Sequence, residues 1–592
     1  MRVRGVRLGG LCMAVVSVFA MTVPHVQAEP ANEQDTKLQA IYTADEAWRR
    51  AQRGAGEPDK PEQILPELPF VDAAHEHLRL AHNEQVMRQL DGLEPKAMSG
   101  DERMNYEVFR AQMAGRIDDL RFKEYEKPVN SDSTFWSGEE LSTNKPFRTA
   151  EDYRKFIAQM GDIPRYFAEN VANMRIGLAR GFTPPQVTLQ GRVHSLEATA
   201  NAKAAEQTVY WKPFAKMPGS IPTTEQAKLR AQAADLILHQ VAPAYAKVLA
   251  FWRDEYVPHA AQSLAAEALP DGKAYYQSQI LQYTTLTLTP EEIHAIGLSE
   301  MAKIHAEMLE TMQQAGFKGT LPEFLEFLRS DPQFYAKTPE ELLMRAAWIA
   351  KEFDGVADQY FGYMPRRRFA IKPVPAEIAP FYTSARGGAR EYYVNTYDLP
   401  SRALYALPAL TLHESAPGHS WQMGISLEHK NLPKFRNSYI SAYGEGWALY
   451  CERLGTEMGM YHTPYERFGM LSYQAWRAAR LVVDTGIHAQ GWTRVQAQQY
   501  LHDNTALSTH EIETEVDRYI SWPGQALSYY LGEMSIQKER AKAQAELGAK
   551  FNLRAFHDAV LETGSVPLPV LERHLDAWIA GGGVGPYPEM EK

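Results

Sequence analysis

Cysteine is nearly absent. The 592-residue chain has two, Cys12 and Cys451, and the first falls in an N-terminal leader. The mature chain keeps one, so it forms no internal disulfide, and its stability must come from a core large enough to need no staple. Cys451, in the run Leu-Tyr-Cys-Glu-Arg, reads as a small core residue. An excess of positive charge is also missing: 62 Lys and Arg stand against 73 Asp and Glu. That balance excludes nucleic acid as a natural partner. Low-complexity tracts and repeats are lacking, and 45% hydrophobic with 23% charged residues is ordinary for a globular chain. Only one apolar run stands out, Leu8 to Val23. Arg2, Arg4 and Arg7 precede it and Val26-Gln-Ala28 follows it, the pattern of a cleaved secretory signal. Cys12, placed early and after Leu11, is not read as a lipid-attachment site. No second apolar span exists to join the leader, so no stable membrane insertion is expected once it is removed. Loss of residues 1–28, with three Arg and no acid, takes the formal charge from −11 to −14. The expected location is the periplasm or the medium.

What remains is mostly helix. Thr149-Ala-Glu-Asp152, Thr289-Pro-Glu-Glu292, Thr338-Pro-Glu-Glu341 and Thr463-Pro-Tyr-Glu466 are capping boxes, three with Pro at the first helical position. Amphipathic runs over 153–180, 224–255, 290–316 and 339–360 follow such starts. Further helices are predicted over 401–428, 437–461, 464–490, 493–506, 509–521, 524–549 and 566–580. One region breaks the helical period. Arg368–Pro375 and Arg390–Tyr397 carry β-branched and aromatic residues bounded by Pro and Gly, which predicts a small hairpin with Gly387-Gly388 near its turn. It either covers the core or offers substrate an edge, with Tyr393 and Asn395 as candidate binding residues. The fold class expected is mainly α, with a small β element ahead of the key helix. Two lobes, 29–360 and 361–592, are expected to form one continuous fold with a cleft between them.

The stretch that carries chemistry is Thr411-Leu-His413-Glu414-Ser-Ala-Pro417-Gly418-His419. In H-E-x-x-H the two His share a helical face and bind zinc while the Glu serves as base. Here the second His comes at i+6, which on an ideal helix leaves it about 120° from the first. Pro417 lacks an N–H and Gly418 admits unusual backbone angles, so a two-residue bulge is expected to swing His419 back beside His413. Tyr443-Gly-Glu445-Gly-Trp447 places a lone carboxylate in an apolar run 26 residues later. A buried Glu is rare unless paired or bound to metal, so Glu445 is the expected third ligand. Two His and one Glu suit zinc best.

The runs Phe381-Tyr-Thr-Ser-Ala-Arg-Gly-Gly-Ala-Arg390, Asn395-Thr-Tyr-Asp398 and His-Glu-Ser-Ala-Pro-Gly-His resemble the bacterial family catalogued as domain of unknown function 885. Asp484-Thr-Gly-Ile-His488 and Pro523-Gly-Gln-Ala-Leu-Ser-Tyr529-Tyr530-Leu-Gly532 resemble it too. Such proteins resemble helical zinc peptidases of the thimet-oligopeptidase and carboxypeptidase-Taq type. The resemblance implies a metallopeptidase-like fold and short peptides as substrate. It also implies that Tyr529 or Tyr530 donates a hydrogen bond to the oxyanion.

From the residues themselves, Glu414 is the expected general base. His488, one turn after Asp484, is a second oxyanion candidate or a paired support. Arg518 is a candidate for a substrate carboxylate, and Arg366–Arg368 reads as a solvated face. The function expected is an exported zinc peptidase. Hydrolysis of another amide or ester, or a non-catalytic periplasmic binding role, remain the alternatives.

Overall fold

Threonine hydroxyls open the long helices. Thr149, Thr289 and Thr463 each accept the N–H three residues on, and Asp152, Glu292 and Glu466 reach back to the threonine N–H. These complete boxes start the helices Ala150–Arg180, Pro290–Gln314 and Pro464–Gln490. At Thr338 the box is half made, because Glu341 takes the N–H of Lys337 instead. A computed structural model describes residues 32–585, apart from 53–62, 131–132, 138–140, 142, 144, 377–378 and 430–431. The leader read over 1–28 lies outside the described residues.

The chain is mainly helical. The predicted run 224–255 is a continuous helical rod, Thr223–His259, in which two five-residue π turns, Ile237–Val241 and Trp252–Tyr256, interrupt the α hydrogen bonding. The run 401–428 divides into Leu407–Glu414 and His419–Ser426. Ser441–Glu457, Arg494–Asn504, Thr509–Ser521, Ser528–Leu547 and Leu568–Ala580 sit where periodicity put them. Among the described helices, none is long and apolar enough to cross a membrane.

The β element differs from the predicted hairpin. β1 (Ala370–Pro373) runs parallel to β3 (Glu391–Val394), and the antiparallel partner is a third strand, β2 (Ala385–Gly387). The sheet order is β1-β3-β2. The hairpin turn is therefore 388–390, just after Gly387.

The apolar core does not divide at residue 360. One core gathers residues from Ile64 to Leu68 and Val129 to Ala260. The other gathers Leu38 to Ile117, rejoins the chain at Phe182 and Ala266, and continues to Ile579. So most of the stretch 129–260 packs on itself, and the segments before and after it belong to the core that holds the site. In that core the 290–314 helix packs on 464–490, and 441–457 packs on 528–547. The second pair meets backbone to backbone: a Cβ on Gly446 would lie 2.4 Å from the Gly532 carbonyl carbon. Two bare α-carbons let these helices touch, and this brings the start of the 528–547 helix against the middle of 441–457.

Candidate metal centre

The interrupted helix is built as the Pro-Gly pair suggested. Leu407–Glu414 stops at Ser415, whose hydroxyl bonds back to Thr411 O. The Ala416–Pro417 peptide is cis. The N–H of Gly418 then reaches Leu412 O at 2.9 Å, and that of Trp421 reaches Ser415 O at 3.2 Å. Each bond spans six residues where an α-helix spans four, so the bulge absorbs the two extra residues and the helix resumes at His419. Gly418 lies so close to the preceding turn that a Cβ there would come within 1.9 Å of His413 O. Trp447 pins the bulge by donating its indole N–H to Pro417 O at 2.8 Å.

The result brings three ligand atoms together. His413, His419 and Glu445 each offer one atom, all within 4.8 Å of one another. Glu445 Oε2 is 3.2 Å from His419 Nε2 and 3.6 Å from His413 Nε2. A tetrahedral zinc with ligands at about 2.0–2.1 Å has edges of roughly 3.3–3.4 Å, so these separations fit a cation among the three. The electrostatics fit as well. Burial opposes a charge on either partner. Even so, His419 and His413 hold the Glu445 carboxyl well below its usual range, and Glu445 and Glu452 raise His413 to about 9. Carboxylates outweigh cations here, a demand for positive charge that a divalent ion meets.

Around this set the chain supplies further groups. Glu452, fully buried and two turns beyond Glu445, brings Oε1 to 2.8 Å from His413 Nδ1. The approach is too bent for an aligned hydrogen bond. Arg477 Nη2 stands 3.5 Å from the same oxygen. Glu414, half-buried, accepts the N–H of Gly387 from the edge of β2. Asn395 N bonds to Ser384 O, so alternation along β2 turns the peptide groups of Ala385 and Gly387 outward, toward this helix. Gly387 has no room for a side chain: a Cβ would be 2.0 Å from Glu414 O.

The two tyrosines part company. Tyr529 lies with its ring 6.2 Å from that of His413 and nearly parallel to it, under the Arg480 guanidinium at 4.2 Å. Tyr530 points away, donating to Glu300 at 3.1 Å. His488 does not reach the centre. Its Nδ1 accepts the N–H of Ala266 at 3.1 Å, and its Nε2 donates to Tyr519 O at 2.9 Å. Burial lowers it to about 4, so it is a neutral structural ring with no free nitrogen. Asp484 serves Tyr276 and Gly524 rather than His488. Asn395 is likewise spent: its amide donates to the carbonyls of Ala379, Tyr382 and Thr383, and its oxygen accepts Tyr397 N–H. It shapes the loop between β1 and β2 and is not available to substrate. Tyr393 lies on β3, opposite Arg386. Arg518 donates to Gln525 and lies over the Trp522 ring.

Sequence reasoning missed Glu452, Arg480 and Tyr439. Glu452 had a signal, its i+7 spacing from Glu445 on one helical face. Tyr439 had none, since it lies in the connection before the 441–457 helix.

Comparison with known proteins agrees on the fold. A crystal structure described as a putative lipoprotein from Colwellia psychrerythraea superposes with a TM-score of 0.85 at 28% identity, covering 93% of this chain and 100% of that one. Another, described as a putative lipoprotein of unknown function from Shewanella oneidensis, gives 0.67 at 18% identity over 91% of this chain and 98% of that one. No curated protein matches the chain. The model of a family described as "Bacterial protein of unknown function (DUF885)" matches residues 52–575. The chain, with its interrupted two-histidine helix, therefore belongs to the DUF885 family.

Proposed function

We propose that this protein is an exported, zinc-dependent hydrolase that cleaves amide bonds in short peptides. The observation that carries the reading is the three-atom face made by His413, His419 and Glu445 with Glu414 beside it. A structural zinc site is closed by a fourth protein ligand and needs no neighbouring base; among the described residues this group has three members and has one. Zinc bound there supplies Lewis acidity and lowers the pKa of water from about 15.7 toward 7.

The chain's own groups do the rest. Gly387 N–H fixes Glu414 Oε2, which orients the carboxylate so that its other oxygen takes a proton from the attacking water and gives it to the departing nitrogen. Tyr529, beside His413, donates its phenolic hydrogen to the carbonyl oxygen as that atom gains charge. Export rests on the leader pattern of residues 1–28 and on the lipoprotein description of the two similar structures.

Metal analysis of the purified mature protein, followed by a peptide-library digest with and without chelator, tests the reading. One zinc per chain is expected. Glu414→Gln should keep that zinc and lose about 10²–10⁴-fold in turnover. A protein without metal, or a Gln variant of full activity, rules the mechanism out.

A further inference from the structure

Tyr439 is the group at this centre that the chemistry above leaves unused. Its ring lies 6.3 Å from that of His419. It is open over 45% of its surface, in a neighbourhood where His413, His419 and Tyr529 are all buried. Yet its hydroxyl is tied: it hydrogen-bonds the Glu445 carboxylate. A ring with exposed surface and a tied hydroxyl stands as a wall beside the three ligand atoms. It is also a fixed wall. Gly444 supports it from behind, so closely that a Cβ there would lie 2.3 Å from the ring. Held at the hydroxyl and at the back, the ring keeps one orientation before any ligand arrives, which is how a site avoids ordering costs on binding.

We propose that the open face of Tyr439 holds an aromatic side chain of the substrate, on the residue adjoining the bond that is cut. The inference rests on the hydrolase reading and names the class of peptide it takes. Its physical basis is that offset or edge-to-face aromatic pairs add attraction beyond area burial, and a rigid apolar wall next to the reacting centre expresses it fully. An aliphatic side chain gains the burial and forfeits the ring pairing. The expected preference for an aromatic residue is about tenfold.

Binding tests this without turnover. Zinc-loaded protein, its metal content checked first, is titrated with 3-phenylpropanohydroxamate and with 3-cyclohexylpropanohydroxamate, which share a chelating head and arm length and differ in the aromatic ring. The wild type should bind the aromatic probe about tenfold more tightly than the aliphatic one. Tyr439→Phe, which keeps the ring, should retain that ratio. Tyr439→Leu and Tyr439→Ala should bring it close to one while still holding zinc. Equal affinities in the wild type, or a ratio that survives in the Leu and Ala variants, overturn the platform. Peptide hydrolysis is scored separately, so a protein that binds the probes as expected but cuts no peptide overturns the peptidase reading alone. A protein that takes up no zinc overturns both.

Discussion

Glu452 is not among the three proposed ligands, yet the affinity for the proposed zinc should depend on it. A ligating imidazole binds through one nitrogen and must present the other as N–H to an acceptor that fixes its tautomer and tilt. For His413 the group standing at that nitrogen is the Glu452 carboxylate, 2.8 Å from Nδ1 and out of reach of solvent. Arg477 is the nearest cation to offset its charge. Replacing Glu452 by Gln keeps the volume and removes the charge, so zinc affinity should fall about 10–100-fold with little change in melting temperature of the metal-free protein. Competition against a chelator of known affinity reads the first, and a thermal melt the second; unchanged affinity would leave Glu452 with a packing role only. The clustering of His413, His419 and Glu445 was legible because their chemistry is unusual in the places they occupy. Two imidazoles and a carboxylate within seven residues, and a lone Glu in an aromatic run, both need an explanation. Tyr439 was not legible, because an exposed loop tyrosine is ordinary until a neighbour shows what its hydroxyl touches.

At the level of elements, the decisive feature is the break between the helices Leu407–Glu414 and His419–Ser426. Residue spacing announced it, since i+6 cannot place two rings on one face unless two residues leave the helix. The bonds from Gly418 to Leu412 and from Trp421 to Ser415 show how they leave. Any side chain at 418 would collide with the backbone carbonyl of His413, 1.9 Å away, and that carbonyl cannot rotate aside as a flexible side chain would. Gly418→Ala should therefore open the bulge, cost roughly 1–3 kcal/mol of stability and weaken zinc binding at the same time. Calorimetry of the zinc-free and zinc-loaded forms measures both, and a variant with wild-type values in each would show the turn to be tolerant. The sheet was less legible for a physical reason. The segments around 370–373 and 391–394 have the β-branched and aromatic content of strands, but composition carries no information on whether two strands run parallel. β2 is three residues ending in glycine, and its strand character comes from pairing with β3 and from Glu414 taking the Gly387 N–H. Choosing between Tyr529 and Tyr530 also needed the packed helix. Successive residues point about 100° apart, and only the Gly446–Gly532 contact fixes which one faces His413.

Across the whole molecule, helix content was readable from caps and periodicity, whereas the division of the core was not. Residues 129–260 form their own apolar cluster, yet the chain on either side of it returns to the core around the site, and local periodicity says nothing about which distant helices meet. His488 works at this scale. It ties the 464–490 helix to Ala266, just past the end of the 129–260 cluster, and to Tyr519 O on the 509–521 helix. Burial lowers it to about 4 from an ordinary 6.5, so the folded chain keeps the ring neutral where the unfolded chain protonates it. Between pH 6.5 and 4 the unfolded state binds the extra proton, and the contribution of His488 to stability, full above pH 6.5, is lost as pH falls through that window. The loss amounts to roughly 3 kcal/mol by pH 4. Buried Asp484 and Glu533, raised by burial to about 7 and about 8, act in the opposite sense over part of the range and mask this in a single stability curve. A difference removes them, because they titrate in both proteins. His488→Gln can accept the Ala266 N–H and donate to Tyr519 O without ever gaining a charge. It should be less stable than the wild type at pH 7 and close the gap as pH falls to 4, by roughly 3 kcal/mol in all. Urea unfolding at intervals across that range, fitted for each protein, gives the gap directly, and a gap that stays constant would mean that His488 is not held neutral by the fold.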